Sequence, residues 1–233
     1  MTLPVTTVGF DADDTLWHNE RYFALTQVHF AQLLGEYTDT DTLMARLLAA
    51  ERRNLPHYGF GIKGFTLSMI ETAVEVTDGR VHADVITQIL DAGRDMLSHA
   101  VELLPHARET VEVLSRDYKV IVITKGDLLD QERKLIQSGL RDAFDGVEIV
   151  SAKTAEVYSA IFARHGTGAD QGLMVGNAMA SDVVPMIEAG GWGVFCPHEI
   201  TWAIEDAPPP VHPRFAQIAD LSELPALIAT LQN

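Results

Sequence analysis

A cluster of carboxylates directly after a short apolar run is the feature that most constrains what this chain can fold into. Residues 5–10 have the spacing of a short buried strand. The run ends in four polar side chains: Asp11, Asp13, Asp14 and Thr15. Carboxylates this close together at a strand end are unfavourable unless a positive group lies between them. The pattern therefore predicts either a divalent cation held by oxygen ligands or a nearby lysine.

A purely structural role is the alternative for these aspartates. Asp13 or Asp14 would then cap the N-terminus of a helix that begins near Leu16. Aspartate-rich strand ends are common, so this stretch taken alone leaves both interpretations open.

The composition narrows the class of protein. The chain has 233 residues, 47% of them hydrophobic and 21% charged, which predicts one large globular domain or two smaller ones. We expect no membrane span, because no apolar stretch is long enough, and no signal peptide, because the first strand begins almost at once. The single Cys196 excludes an internal disulfide, so we expect a cytoplasmic location.

The formal net charge of −16 bears on possible partners. Proteins that bind nucleic-acid backbones use clustered Lys and Arg, so such a partner is not expected here. A small phosphorylated substrate is compatible with this charge, because a bound cation and a few donors can dominate the field inside a cleft. The sequence does not indicate the oligomeric state.

Residues 18–100 carry helical patterns and no strong strand. The four helical runs cover residues 22–35, 40–54, 65–76 and 82–97. Together they predict a small helical bundle inserted directly after the first strand. The expected division of the chain is a core of residues 1–17 and 101–233 and a helical domain of residues 18–100.

The connection between the second and third helical runs, residues 55–65, combines three glycines with aromatic residues. One interpretation is a mobile loop that lines a groove and contacts substrate, with His57, Tyr58 and Lys63 as candidates. The other is a surface loop whose aromatic side chains pack back on the bundle.

From Leu104 onward helices and strands alternate. Residues 118–124 form a nearly pure apolar, β-branched run, which is typical of a parallel strand buried on both faces. Further strands are expected near residues 147–150, 173–176 and 193–196. Helices are expected over residues 105–117, 128–138, 155–165, 182–189 and 221–231. Repeated βα units of this kind predict an α/β fold with a doubly wound parallel sheet, similar to a Rossmann fold.

Ligands bind such sheets beyond the carboxyl ends of the strands, so the residues at those ends are the candidate site. Thr124, Lys125 and Gly126 end the second major strand, where a hydroxyl and exposed backbone N–H groups suit a phosphate oxygen. Lys153 follows the next strand and competes with Lys125 as the cation beside the carboxylates. Another strand end carries Gly176-Asn177, followed by Asp182.

In order and spacing these strand ends resemble the haloacid dehalogenase superfamily. The residues that carry the resemblance are Asp11-Ala12-Asp13-Asp14-Thr15, Thr124, Lys153 and Gly176-Asn177 with Asp182. The resemblance implies Asp11 as the nucleophile and Asp13 as general acid/base. It also implies that Thr124 and Lys153 contact the phosphoryl group, and that the helical insert is a cap domain of the C1 type.

The resemblance further implies a Mg²⁺ site, with one departure from the family pattern. Asn177 stands where the family has an aspartate. An amide oxygen can bind Mg²⁺ but brings no charge, so Asp182 is expected to supply the acidic role directly or through water. The expected ligands are Asp11, the backbone carbonyl of Asp13, and one or both of Asn177 and Asp182.

Two reaction classes occur on this scaffold, and Asp13 favours phosphoryl transfer. Ester hydrolysis needs a nucleophile, a cation and a proton donor for the leaving oxygen, whereas carbon–halogen cleavage needs neither Mg²⁺ nor that donor. We therefore predict a Mg²⁺-dependent phosphatase that acts on a small phosphomonoester, with a 2-haloacid dehalogenase as the alternative.

A non-enzymatic alternative is a phospho-accepting receiver domain, which also combines acidic residues, a hydroxyl and a lysine on a doubly wound sheet. Length argues against it, because such a domain needs no helical insert of roughly 80 residues.

Overall fold

The computed structural model describes residues 4–231. Within this range six strands form one sheet, in the order β3–β2–β1–β4–β5–β6, and every neighbouring pair is parallel. The strands are β1 (Thr7–Phe10), β2 (Lys119–Lys125), β3 (Gly146–Val150), β4 (Gly172–Gly176), β5 (Trp192–Phe195) and β6 (Phe215–Gln217). The predicted doubly wound parallel sheet is confirmed.

The central position of β1 follows from its composition. It is buried on both faces, and Phe10 pairs in register with Val122 of β2 and Val175 of β4. The chain builds outward from β1 on one side through β2 and β3, and then crosses to β4 on the other side. The strand order therefore reverses between β1 and β4, which is where doubly wound sheets form a ligand-binding crevice.

Two apolar clusters pack against the sheet. Successive residues of a strand point to opposite faces, so Val120 and Val122 of β2 belong to one cluster and Ile121 and Ile123 to the other. Both faces are thus covered, which explains why β2 reads as a continuous apolar run instead of an alternating one.

Nine α-helices connect these strands or follow them within residues 4–231. They are α1 (Glu20–Leu34), α2 (Thr40–Tyr58), α3 (Ile62–Val76), α4 (Ala83–Ser98), α5 (Ala107–Leu114), α6 (Leu128–Gln137), α7 (Ala155–His165), α8 (Val184–Glu188) and α9 (Leu224–Leu231). None of the helices in this range combines the length and the apolar character needed to cross a membrane.

Contacts divide the chain into two compact units. Among the described residues, the first consists of residues 4–20, 101–125 and 131–231, and the second of residues 21–100 and 126–130. The first unit holds the sheet. The second contains most of α1 together with α2–α4, and it also takes in the short segment after β2.

The second unit has its own core. Its buried apolar side chains come from all four of its long helices: Phe30, Leu34, Leu43, Leu47, Ile62, Phe65, Met69, Ala73, Ile89 and Met96. A buried polar contact lies beside them, in which the Asn54 amide donates to Ser68 Oγ at 3.1 Å and to Glu71 Oε2 at 2.7 Å. These bonds satisfy an amide that would otherwise be costly to bury.

The prediction of a loop over residues 55–65 is wrong. Helix α2 continues to Tyr58 with Pro56 inside it, and only residues 59–61 separate it from α3. A proline this close to a helix end removes a single intrahelical hydrogen bond, so the helix ends only at Gly59, whose positive φ of 73° favours glycine. His57 and Tyr58 therefore belong to the last turn of α2, and Lys63 to the first turn of α3.

Three smaller expectations also need correction. The helix expected over residues 105–117 is shorter and runs over α5, residues 107–114. The helix expected over residues 182–189 begins earlier, as a π-helical turn over Met179–Val183 that leads into α8. The edge strand β6 was not expected, because three residues after a proline-rich segment give too short a pattern to recognise.

A close approach between α3 and α4 tests the packing of the second unit. A methyl group on Gly93 would lie 2.4 Å from Thr66 Oγ1, a distance that atoms do not tolerate. Alanine is the better helix former by about 1 kcal/mol. We nevertheless expect Gly93→Ala to lower the free energy of unfolding by about 1–3 kcal/mol, because overpacking dominates. Urea unfolding followed by circular dichroism measures this change.

The matched control is the double variant Gly93→Ala with Thr66→Ala. Removing the hydroxyl and methyl of Thr66 makes room for the new methyl group, so the double variant should recover most of the lost stability. A single variant as stable as the wild type would show that the two helices can separate at little cost.

Candidate active site

Four strand ends bring the candidate residues to one edge of the sheet. Asp11 directly follows β1, Thr124 is the penultimate residue of β2, Lys153 follows β3, and Asn177 directly follows β4. Because the strands are parallel, their carboxyl ends meet at the same edge. Asp11 and Asn177 stand on the two strands between which the strand order reverses.

Lys153 joins two carboxylates in the buried centre of this edge. Its Nζ lies 2.5 Å from Asp11 Oδ1 and 2.6 Å from Asp182 Oδ1, and its side chain is 1% exposed. The second oxygen of Asp182 accepts from the backbone N–H of Ala178 at 2.9 Å. A buried ammonium is favourable only when it is paired, so this trio fixes all three side chains together. Lys153, and not Lys125, is thus the lysine beside Asp11.

With both carboxylates ionised, the trio carries one negative charge in excess. Burial raises the pKa of the Asp11 carboxyl to about 7, the charge of Asp182 adds to the rise, and Lys153 opposes it. Burial lowers the pKa of Lys153, but Asp11 and Asp182 outweigh it and raise this pKa well above its ordinary value. The lysine is therefore a permanent cation, whereas Asp11 can exchange its proton near neutral pH.

Thr15 and Asn177 complete the surroundings of Asp11. The Thr15 hydroxyl donates to Asp11 Oδ2 at 3.0 Å and accepts from the backbone N–H of Asn177 at 3.1 Å. This hydroxyl therefore links the loop after β1 to the end of β4. Thr15 is the last residue of the Asp-x-Asp-x-Thr pattern, so its place in the pattern has a direct structural reason.

The end of the Asn177 side chain lies among oxygens. One terminal atom of its amide is 3.2 Å from Asp11 Oδ2 and 3.1 Å from the backbone carbonyl oxygen of Asp13. With nitrogen at this end, the amide donates to both acceptors. With oxygen at this end, three oxygens converge, which is the donor set that a hard cation such as Mg²⁺ prefers. The structure has the oxygen at this end, 3.3 Å from Thr15 Oγ1, and in this orientation the residues present fit a Mg²⁺ site.

Carboxylates alone do not make a metal site here. Over residues 4–231 no three His, Cys, Asp or Glu side chains come together as a metal-binding group. The physical reason is Lys153, whose ammonium occupies the space between Asp11 and Asp182. A cation at Asn177 would thus depend on one carboxylate, one carbonyl and one amide.

Gly176 makes room for Asp182. A methyl group at position 176 would lie 2.2 Å from Asp182 Oδ2 and 2.4 Å from its carboxyl carbon. The carboxylate therefore occupies the volume that any larger residue at position 176 would need. This contact explains why a glycine directly precedes Asn177.

The three residues at the end of β2, which the sequence analysis assigned to phosphate binding, make different contacts. Thr124 is buried, and its hydroxyl donates to the backbone carbonyl of Lys125 at 3.3 Å. Gly126 follows with a positive φ of 136° and belongs to the second unit. Lys125 pairs with Glu205, a residue that the sequence reasoning missed.

Glu205 brings a further carboxylate to this edge. Its Oε2 accepts from Ser181 Oγ at 2.5 Å, and the backbone carbonyl of Ser181 accepts from the Tyr158 hydroxyl at 2.9 Å. Burial raises the pKa of Glu205, but Lys125 and Ser181 outweigh it, so this pKa lies below its ordinary value. No sequence motif marks Glu205, which lies in the long segment between β5 and β6. Its pairing with Lys125 became visible only in three dimensions.

Asp13 is surrounded by donors that the sequence reasoning also missed. The indole N–H of Trp17 donates to Oδ1 at 2.7 Å, and the Gln131 amide donates to Oδ2 at 2.8 Å. Lys134 Nζ lies 2.6 Å from Oδ1 and 2.8 Å from Oδ2. The spacing of Gln131 and Lys134, three residues apart on α6, is the signal that could have indicated a shared partner.

Asp14 has the structural role that the helix-cap alternative describes, although its helix begins later than expected. Its carboxylate accepts from the backbone N–H of Asn19 at 2.8 Å and from that of Glu20, the first residue of α1, at 2.9 Å. Burial raises the pKa of Asp14 to about 6, while the N–H of Asn19 and the charge of His198 oppose the rise. The cap alternative therefore applies to Asp14 and not to Asp13.

The three candidates from the helical insert lie in the second unit. His57 and Tyr58 are exposed, with 52% of Tyr58 accessible to solvent. Lys63 is tied to Asp127, whose carboxylate accepts from the Lys63 backbone N–H at 3.3 Å and lies 3.3 Å from its Nζ. Their assignment to substrate contact stays a prediction.

Comparison with known proteins identifies the family of this chain. The family model for haloacid dehalogenase-like hydrolases matches residues 5–190, which include every strand-end residue described above except Glu205. The chain is a haloacid dehalogenase-like hydrolase. No curated protein sequence matches it significantly.

Solved structures resemble this hydrolase over nearly its whole length. A haloacid dehalogenase-like family hydrolase from Xanthomonas campestris is 41% identical, with a TM-score of 0.88, over 98% of this chain and 92% of that one. YfnB from Bacillus subtilis, solved bound to magnesium, is 17% identical with a TM-score of 0.69, over 97% and 99% of the chains. A 2-haloacid dehalogenase from Pseudomonas syringae is 20% identical with a TM-score of 0.60, over the same shares. The last two share the fold alone.

The raised pKa of Asp11 predicts a pH-dependent cost in stability. Folding raises this pKa from its ordinary value of 3.8 to about 7, so the folded hydrolase binds a proton that the unfolded chain releases. Asp11 therefore lowers the free energy of unfolding as the pH rises from about 4 to about 7. We expect Asp11→Asn to be more stable than the wild type by roughly 1–2 kcal/mol at pH 8, and by less at pH 5.

Urea unfolding in EDTA at the two pH values measures this difference. Glu36→Gln, a change at an exposed carboxylate on another element, is the control and should alter stability little at either pH. An Asp11→Asn variant that is less stable than the wild type at pH 8 would show that the pair with Lys153 outweighs the cost of burial.

Proposed function

We propose that this hydrolase is a Mg²⁺-dependent phosphatase that acts on a small phosphomonoester through an aspartyl-phosphate at Asp11. The observation that carries the proposal is the second carboxylate, Asp13, in the same loop as the nucleophile. An alkoxide leaving group needs a proton donor, whereas a halide leaves as a stable anion and needs none. A dehalogenase would have no use for Asp13.

The first half of the proposed reaction transfers the phosphoryl group to the enzyme. Asp11 attacks phosphorus with a carboxylate oxygen, the bond from phosphorus to the ester oxygen breaks, and protonated Asp13 gives its proton to that oxygen. Lys153 holds Asp11 in place and offsets the negative charge of the incoming phosphate. The Thr124 hydroxyl is proposed to hold a phosphate oxygen.

The second half returns the enzyme to its starting state. Asp13, now ionised, takes a proton from water, whose oxygen attacks phosphorus and releases phosphate and the Asp11 carboxylate. Asp11, the Asp13 carbonyl and the Asn177 amide oxygen would hold Mg²⁺, which when bound supplies positive charge beside the phosphate. Asp182 contributes by fixing Lys153, and its place as a ligand, direct or through water, stays a prediction.

The expected partners follow from charge and size. The net charge of −16 supports a small phosphorylated substrate and argues against nucleic acid or an anionic membrane surface. The cytoplasmic location rests on the single cysteine, and it stays part of the proposal.

One observation favours the dehalogenase alternative. With its nitrogen toward Asp11, the Asn177 amide satisfies the Asp11 and Asp13 oxygens without a metal ion. Such a site could support attack of Asp11 on a carbon–halogen bond. The two functions predict different products, phosphate or halide, and the same variants serve both assays.

The direct test is hydrolysis of p-nitrophenyl phosphate with Mg²⁺ or with EDTA. We expect activity only with Mg²⁺, and a loss of about 10³-fold or more in Asp11→Asn, because the amide cannot attack phosphorus. Asp170→Asn, an exposed aspartate on the turn before β4, is the matched control and should keep full activity.

Full activity in Asp11→Asn would refute the mechanism. Halide release from 2-chloropropionate, with no phosphate release under any metal, would establish the dehalogenase alternative instead.

A second prediction concerns the departure at Asn177. We expect Asn177→Asp to bind Mg²⁺ at least about 10-fold more tightly, because a carboxylate adds a negative charge to a donor set that holds only one. Isothermal titration calorimetry measures this affinity without any turnover. Asn177→Ala removes the oxygen and should weaken binding. Equal affinity in all three proteins would place the metal elsewhere.

A further inference from the structure

The Asp13 carboxylate accepts four hydrogen bonds from three side chains. Oδ1 accepts from the Trp17 indole and from Lys134, and Oδ2 accepts from Gln131 and again from Lys134. A carboxylate offers about four lone-pair sites. All of them are therefore used in this conformation, so the three donors together fix the orientation of the Asp13 carboxylate.

Helix α6 directs two buried polar side chains at this one carboxylate. Gln131 and Lys134 lie three residues apart, on the same face of the helix, and both are less than 10% exposed. Burial of the Lys134 ammonium is costly unless it is paired, and its partners among the described contacts are Asp13 and the Asn19 side chain, at 3.3 Å.

The Gln131 amide supports the same conclusion. Its Oε1 is buried and accepts no hydrogen bond from any of the described residues. Turning the amide would place this oxygen against Asp13 Oδ2, where two acceptors would repel each other. The amide orientation is therefore set by Asp13, at the expense of its own oxygen.

We propose that Lys134 and Gln131 are positioning residues for the general acid/base: they hold the Asp13 carboxylate against Trp17 and act on the reaction through it. This inference rests on the proposed function, in which Asp13 protonates the leaving oxygen. Lys134 has the larger effect, because it supplies two of the four hydrogen bonds. Its positive charge also offsets the repulsion between the Asp13 and Asp11 carboxylates. Gln131 is neutral and supplies one bond.

The first test reads the position of Asp13 without any turnover. The chain has three tryptophans, so its ¹H–¹⁵N spectrum contains three indole signals, and Trp192→Phe and Trp202→Phe assign that of Trp17. We expect Lys134→Met to move the Trp17 signal while the other two stay in place. Lys134→Arg keeps the positive charge and can donate two hydrogen bonds to the carboxylate, so it should return the signal toward the wild-type position. Arg133→Met on the same helix is the matched control and should move none of the three.

The second test separates an effect on the general acid from a structural one. p-Nitrophenolate leaves without a proton, whereas the alkoxide of glycerol 2-phosphate needs one. We expect Lys134→Met to lower kcat/KM for glycerol 2-phosphate at least about 10-fold more than for p-nitrophenyl phosphate. Gln131→Met should show a smaller difference in the same direction, and Lys134→Arg should recover most of the loss.

Each outcome decides the proposal. An unmoved Trp17 signal in Lys134→Met, or equal losses for the two esters, would overturn it and leave Lys134 as an anchor of α6. If the wild type hydrolyses neither ester, the proposed function fails. The indole signals then still establish or refute that Lys134 holds Asp13.

Discussion

The ion-paired trio of Lys153, Asp11 and Asp182 is the interaction on which the rest of the site depends. Its members come from the ends of β3, β1 and the turn after β4, so the trio exists only when the parallel sheet has its observed strand order. Burying these charges is costly by itself, and mutual pairing offsets the cost. The arrangement makes the fold and the chemistry interdependent, because any shift in the register of β1 against β4 would move Asp11 away from Asp182, with which it shares Lys153.

In the loop after β1, a few neighbouring residues serve several different functions. Asp11 faces Lys153, Asp13 faces α6, and Asp14 binds the first backbone groups of α1. Three neighbouring carboxylates thus point to three different partners, although the charge of Asp13 still raises the pKa of both Asp11 and Asp14. The sequence predicts a divalent cation or a lysine between them and leaves a helix cap open for Asp13 or Asp14, whereas the structure divides them among separate donors.

Much of this could be predicted from the sequence. The apolar runs of β1 and β2 and the spacing of the βα units specify the doubly wound sheet, since each strand must be buried on both faces. Strand ends then identify Thr124, Lys153 and Asn177. The partners of Glu205, Gln131 and Lys134 could not be predicted, because they lie 80 or more residues away. No local pattern marks Glu205, and the three-residue spacing of Gln131 and Lys134 indicates a shared partner without identifying it. Long-range side-chain pairing depends on the assembled fold. The prediction of a loop over residues 55–65 failed for a different reason: a proline such as Pro56 near a helix end costs too little free energy to stop the helix.

The glycine before Asn177 has a consequence for how such chains can diverge. The carboxylate of Asp182 fills the volume that a side chain at position 176 would occupy, so the two positions share one space. A larger residue at position 176 is compatible with the fold only if the residue at position 182 becomes smaller or turns away, which would cost Lys153 one of its two anions. Positions 176 and 182 should therefore change together or not at all across related sequences. In each such sequence, the residues at these two positions indicate whether the buried lysine still has both of its carboxylate partners.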